Sequence, residues 1–336
     1  MAATKVLFVF RKPNPGNFSI EKVYAAVYKE LQGITTANFT WDRITLKRNF
    51  DFALFAKYFL KSLFLSRFIV HITGGCNYMV MAFPFKKRVL TIHDFFHYNT
   101  KKGLKGKLYD LLFFRLPIRF AHQIIVVSQQ TKDTLAEHFP KHQNKAHVIV
   151  NPLVIDQKFV EYKERDLVNR PLKVLQIGDK PLKNYERLLA ATHDLPVHYY
   201  MVHAKDTAVT MLQETFAVPE KITHLCGISD QELYNLYKDC DILFFASTAE
   251  GFGLPILEAQ AFGMPVVTSN IPPMSSVGVG AFLVDPFNTQ DIRAAFEHLL
   301  AEPNLENNYT LAKKNLAQYL APTVAAHYLN SYKQLV

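Results

Sequence analysis

The stretch from Asp241 to Asn270 constrains the fold more than any other part of the chain. Asp241 to Ala246 reads Asp-Ile-Leu-Phe-Phe-Ala, apolar without alternation, the pattern of a strand covered on both faces in a parallel sheet. A turn containing Gly251 and Gly253 follows it. Pro255 then stands where a helix starts, with its φ pre-set and lacking only an N–H that the first turn leaves unpaired anyway. Gly263 and Pro265 close that helix, and a second apolar strand begins at Val266. The order is that of a βαβ unit, whose helix N-terminus faces the ligand side of the sheet.

This unit carries the first chemical expectation. Amides near Phe252 and Gly253 suit an anion such as a diphosphate. Glu250 enters the turn and Glu258 is expected on the first helical turn, so two carboxylates border one small region. Carboxylates accept hydrogen bonds from sugar hydroxyls, and the combination points to a ligand with phosphates and many hydroxyls. The spacing equally admits a plainer reading, with Glu250 as a loop charge and Glu258 as a favourable helix-start acid.

With 336 residues and 49% hydrophobic content, the chain is long enough for two domains with a core each. Its net charge of +9 conceals an asymmetry: residues 1–170 carry 27 basic against 12 acidic side chains, and residues 171–336 carry 11 against 17. The basic half is therefore the one expected on an anionic surface. Cys76, Cys226 and Cys240 form neither an even framework nor a metal-type spacing, which favours a reducing compartment and gives no metal site. The N-terminus reads as a first strand rather than a secretory leader.

Residues 50–70 are rich in aromatics, interrupted by Lys57, Lys61 and Arg67, and cannot supply the roughly 20 predominantly apolar residues of a membrane span. Two readings stand: an amphipathic helix dipping into a membrane interface, or a core helix with its lysines snorkelling out. A second cluster, Lys101 to Arg119, interleaves basic and apolar residues in a manner better suited to an anionic bilayer than to DNA, for which no reader motif is present. A merely solvated face is the alternative there.

In chain order, Val6 to Phe10 is a buried-type strand leading into a breaker-rich turn that includes Gly16 and Asn17. Val89 to Ile92 is another, ending on His93 and Asp94 at the position where open α/β sheets bind ligands. Ile124 to Ser128 and the run to Asn151-Pro152 complete the first half. Charged residues 156–171 are the expected linker between a domain 1–155 and a domain 172–314, with 315–336 a terminal helix. The second half restarts with the strand Leu172 to Ile177, then Gly178-Asp179-Lys180-Pro181-Leu182-Lys183-Asn184 and a helix from Tyr185. Lys183 near that helix start can neutralise a phosphate. The spacing is not a Walker loop, which disfavours phosphotransfer from ATP.

Glu250 through Glu258 resembles the Glu-x7-Glu signature of the family 4 glycosyltransferases of bacterial surface-polysaccharide type, with Glu-Gly-Phe-Gly-Leu-Pro and Pro-Val-Val-Thr-Ser-Asn in register. The Gly-x-Lys-Pro-x-Lys-Asn loop, the Ile-His-Asp strand end and Gly227-Ile228-Ser229-Asp230 resemble other segments of that family. The loop departs from a common family variant in having Asp179 where Arg often follows the glycine.

The resemblance implies an α/β GT-B fold, two Rossmann-like doubly wound domains facing across a cleft, with a terminal helix crossing back to the first. It implies a retaining, metal-independent enzyme that moves a sugar from a nucleotide-diphosphate sugar to an acceptor hydroxyl, with no cofactor beyond that donor. Glu250, His93 and Lys183 are then the expected catalytic residues. Glu258, Gly251, Phe252, Gly253, Leu254, Lys180, Gly227, Ile228, Gly16, Asn17 and Asp94 are the expected substrate contacts. The expected partners are a glycan or lipid-linked acceptor and an anionic membrane surface for the basic half, with no nucleic acid; the expected location is cytoplasmic, on the inner face of the membrane. The readings left open are a nucleotide-sugar epimerase or phosphorylase of the same fold, or a peripheral membrane protein that binds nucleotide sugars without turnover.

Overall fold

The computed structural model describes residues 3–12, 19–34, 38–64, 68–100, 102–165, 167, 170–178, 180–202, 206–301 and 304–336. The chain forms two compact units, one of Met1–Val154 with Gln318–Val336 and one of Ile155–Ala317.

The first unit alternates strand and helix: β1 (Thr4–Phe10), α1 (Ser19–Gly33), β2 (Phe39–Thr45), α2 (Phe52–Phe64), β3 (Phe68–Ile72), β4 (Lys87–Ile92), α3 (Gly103–Asp110), α4 (Leu116–Phe120), β5 (Gln123–Val126), α5 (Gln129–His138) and β6 (Ala146–Val148). Its six strands are all parallel in the order β2-β1-β3-β4-β5-β6. Strands at the centre are buried on both faces, as their unbroken apolar runs require: Val70, Leu90 and Ile124 are fully covered. A π-helical turn, Leu111–Arg115, joins α3 to α4. Pro117 has no N–H to give the Phe113 carbonyl four residues back, and Asn77 Nδ2 donates to that carbonyl instead at 2.8 Å.

Residues 52–64 form α2, which carries one packed and one uncovered side. In α2, Leu54, Phe55 and Tyr58 pack on the core. The opposite side is apolar yet uncovered, with Phe52 68%, Leu60 59% and Phe64 88% exposed, and only Ser62 is fully buried. One face of the helix thus belongs to the core while the apolar side chains of the other stand in the open.

The second unit contains β7 (Leu172–Ile177), α6 (Tyr185–Thr192), β8 (Val197–Val202), α7 (Asp206–Phe216), β9 (Ile222–Leu225), α8 (Asp230–Asp239), β10 (Ile242–Phe245), α9 (Leu254–Ala261), β11 (Val266–Ser269), α10 (Met274–Val277), β12 (Phe282–Val284), α11 (Thr289–Ala301) and α12 (Glu306–Leu316). Its strands are parallel in the order β12-β11-β10-β7-β8-β9. Both sheets are doubly wound, but differently. The second reverses direction between its first and fourth strands, the first sheet between its first and third, and in such sheets the reversal point is where ligands bind, beyond the carboxyl ends of the strands.

The charged stretch after residue 155 is tied into the second unit. Arg165 donates to the carbonyls of Tyr237 at 2.5 Å and Cys240 at 3.0 Å, and Arg170 grips the buried Asp241 through two bonds of 2.6 Å. The last helix, α13 (Ala321–Lys333), packs on α1 of the first unit, which buries Val324, Tyr328 and Tyr332.

Candidate functional site

The reversal point of the second sheet lies between β7 and β10, and the loops leaving those strands meet there. Gly178 ends β7 at φ +120°, and a Cβ on it would stand 2.7 Å from Lys183 Cε and 2.8 Å from Cγ. Only glycine therefore lets the lysine stem lie along the backbone. Asn184 holds a left-handed conformation, φ 64°, while its buried Nδ2 donates to the carbonyls of Ala246 at 2.9 Å and Pro286 at 2.7 Å. Thr248 N donates to the Leu182 carbonyl at 2.9 Å, so the two loops are pinned to each other.

Within this frame Lys183 Nζ sits 2.6 Å from Glu250 Oε1 and 4.5 Å from the centroid of the Phe245 ring. Both side chains of the ion pair retain some exposure, 18% and 15%, which leaves them open to a ligand. Gly251 follows, then the buried Phe252 and Gly253. Gly253 caps α9 in the left-handed region at φ 107°. In the first turn Pro255 has no N–H and Ile256 N donates to the Gly253 carbonyl at 3.1 Å, which leaves the Leu254 N–H without an acceptor in the helix. Glu258 projects from the second turn of the same helix, not the first as the sequence suggested, because the helix starts at Leu254, and it accepts a hydrogen bond from Tyr237 Oη at 2.8 Å. Burial and the neighbouring carboxylate push the Tyr237 phenol well above its ordinary pKa, so it remains a donor that fixes the Glu258 carboxylate. Lys180, by contrast, is exposed on the approach to this loop.

Gly227 and Ile228 lie at the carboxyl end of β9, the edge strand, two strands from the reversal point. Gly227 has φ +65°, and the next turn is fixed by a capping box between Ser229 and Glu232.

In the first unit the reversal point lies between β1 and β3. Gly16 and Asn17 fall outside the described residues. What the structure shows there is a group that sequence reasoning missed: Arg11, Glu21, Gly74 and Gly75. Arg11 forms a two-point pair with Glu21, at 2.6 and 3.0 Å. A Cβ on Gly75 would stand 2.7 Å from Arg11 Cδ, and one on Gly74 would stand 2.6 Å from His93 Cδ2. The signal available was the Thr-Gly-Gly that follows the buried strand β3.

His93 Nε2 donates to the Thr73 carbonyl at 3.0 Å, since a carbonyl can only accept. Burial of the ring lowers its pKa, so the imidazole is neutral and Nδ1 carries the lone pair. Asp94 accepts from Phe96 N at 3.0 Å and shapes the loop after β4.

Residues 180–316 match the family described as glycosyl transferases group 1, and residues 30–157 match glycosyltransferase family 4. Among curated proteins, the chain is 26% identical over 234 residues to the O-antigen chain mannosyltransferase RfbU of Salmonella typhimurium, covering 67% of this chain and 65% of that one. It is 29% identical over 207 residues to an MMP alpha-(1->4)-mannosyltransferase of Mycolicibacterium hassiacum, covering 57% and 49%. The chain thus spans about half to two thirds of the length of these relatives. Among solved structures it superposes on a sucrose-phosphate synthase of Thermosynechococcus elongatus with a TM-score of 0.74 at 15% identity, over 99% of both chains. It also superposes on the lipopolysaccharide outer core galactosyltransferase WaaB, with a TM-score of 0.71 at 13% identity, over 99% of this chain and 100% of that one.

The two doubly wound sheets and these superpositions define the fold as GT-B. With both family matches and the Glu250-to-Glu258 motif at the reversal point, the chain belongs to the family 4 glycosyltransferases.

Proposed function

We propose that the protein transfers a sugar, with retention of configuration, from a nucleoside-diphosphate sugar to a hydroxyl of a glycan or lipid-linked acceptor in surface-polysaccharide assembly. Mannose is the first sugar to test, because RfbU and the mycobacterial relative are mannosyltransferases. The observation that carries this reading is the 2.6 Å pair between Lys183 and Glu250 at the sheet's reversal point.

A diphosphate arriving at the N-terminus of α9 recruits Lys183 and releases Glu250 to accept from the donor sugar's hydroxyls. Glu258, held by Tyr237, accepts from the ribose. As the glycosidic bond breaks, charge grows on the leaving phosphate, and Lys183 with the helix-end amides stabilises it in place of a divalent cation. Lys180 adds a nearby positive charge, Gly227 and Ile228 border the base, and His93 offers Nδ1 to a substrate hydroxyl. Lys183→Ala and Glu250→Gln should each lower kcat about 100-fold, or about 2.7 kcal/mol of transition-state stabilisation. Full activity of either variant at saturating donor would refute the assignment.

The acceptor is proposed to be membrane-borne. Between Asp51 and Asp94 the chain has six Lys or Arg residues and no acid, and α2 presents Phe52, Leu60 and Phe64 outward. That pairing suits the headgroup boundary of an anionic bilayer. No described helix is long and apolar enough to cross a membrane. Co-sedimentation with anionic but not neutral vesicles is the expected result; equal binding to both, or to neither, would remove this part of the reading.

A further inference from the structure

We propose that Asp206, His224 and Cys226 form a binding site for a zinc-class divalent cation at the edge of the second sheet, apart from the Lys183–Glu250 pair. His224 lies on β9 and Cys226 immediately after the strand's end, two positions apart. Asp206 opens α7, directly after the neighbouring strand β8. His224 stands between the other two, with Nδ1 3.3 Å from Asp206 Oδ1 and Nε2 3.1 Å from Cys226 Sγ.

One oxygen, one nitrogen and one sulfur atom from these residues lie within 4.8 Å of one another. A tetrahedral zinc ion with bonds of about 2.0–2.3 Å sets its ligands roughly 3.5 Å apart and takes one ring nitrogen of His224, so Asp206 must swing from Nδ1 to the Nε2 side, where Cys226 already stands, to close the set. Asp206 is 88% exposed and free to rotate. Thiolate with imidazole and carboxylate is a zinc-type donor set, too soft for magnesium or calcium. Cys76 and Cys240 cannot compete, because both are buried and burial raises their thiols to about 12.

Three protein ligands leave a position open to water or an anion. Binding exchanges the thiol proton for the ion: the S–H bond breaks, the Cys226 sulfur bonds the metal, and one proton is released to solvent. The ion would fasten the start of α7 to the loop that carries Gly227 and Ile228, and so set the position of that loop.

The test needs no sugar donor and stands apart from the transferase reading. Metal-free protein is titrated with cobalt(II) and then with zinc(II). The expected result is saturation at one equivalent with a thiolate-to-cobalt charge-transfer absorption that zinc abolishes. Cys226→Ser should eliminate the absorption, His224→Ala should weaken binding at least tenfold, and zinc should raise the Tm of the parent protein but not of Cys226→Ser. Absence of the absorption, its persistence in Cys226→Ser, unsaturable binding, or a Cys226 alkylation rate indifferent to zinc would each overturn the proposal.

Discussion

Gly178 shows how a residue without a side chain positions one that has a charge. With φ at +120° and the stem of Lys183 against its Cα, it excludes any Cβ. Gly178→Ala should cost about 1–3 kcal/mol in backbone strain and also displace the lysine, so nucleoside-diphosphate affinity measured by calorimetry should fall toward that of Lys183→Ala. Gly263→Ala is the matched control. Its Cβ would meet the Lys163 carbonyl oxygen at 2.6 Å, a backbone clash that should lower stability while leaving nucleotide affinity of the folded protein unchanged. Equal loss of affinity in both variants would reduce Gly178 to a folding residue. Lys183, Glu250 and Glu258 were legible in the sequence because motif and spacing mark them. Arg11, Glu21 and the Gly74–Gly75 pair were not, since their relation depends on which strands are neighbours, and no local pattern records that.

At the scale of elements, α13 is held to the first unit by a buried polar chain. His71 Nδ1 meets Tyr332 Oη at 2.6 Å and Nε2 meets Thr91 Oγ1 at 2.8 Å, while Tyr24 Oη reaches both Thr91, at 2.5 Å, and Tyr328, at 3.0 Å. Complete burial lowers the His71 pKa from 6.5 to about 3, so the network is built around a neutral ring. The unfolded chain takes up that proton first as pH falls. Stability from this residue is therefore full above pH 6.5 and declines through the window down to about pH 3. At pH 5 the loss is about 2 kcal/mol. Urea melts at pH 7 and pH 5 should show it, amide exchange should rise first in α13, and His71→Gln should flatten the slope; an unchanged slope in that variant would assign the acid sensitivity elsewhere. Legibility at this scale followed burial pattern. Helices α6 and α9 and strands β7, β8 and β10 announce themselves through apolar runs and their breakers. Strand β2 does not, because Phe-Thr-Trp-Asp-Arg-Ile-Thr is an edge strand with polar residues on its open side, and β3 hides behind the aromatic run that forms α2.

For the whole molecule, a repeated strand–helix pattern announces doubly wound sheets but not their order. The same alternation yields one sheet that reverses after its first two strands and another that reverses after three, and only coordinates distinguish them. Charge, in contrast, is legible over long distances: residues 1–170 carry an excess of 15 positive charges and the remainder a deficit of 6. On the proposed membrane-borne acceptor, two forces would contribute to vesicle binding, and salt separates them. Raising ionic strength from about 0.1 M to about 1 M shortens the screening length from about 10 Å to about 3 Å, which weakens the lysine contribution but not burial of aromatic surface. Vesicle affinity should fall with salt toward a residual plateau. Replacing Phe52, Phe59 and Phe64 by serine should remove that plateau and preserve the slope, with turnover of a soluble acceptor unchanged because the three rings are exposed and lie outside the Lys183–Glu250 site. A plateau that survived in the triple variant would mean that α2 is not the inserted element, and the interleaved basic and apolar residues of α3 would be the next surface to truncate.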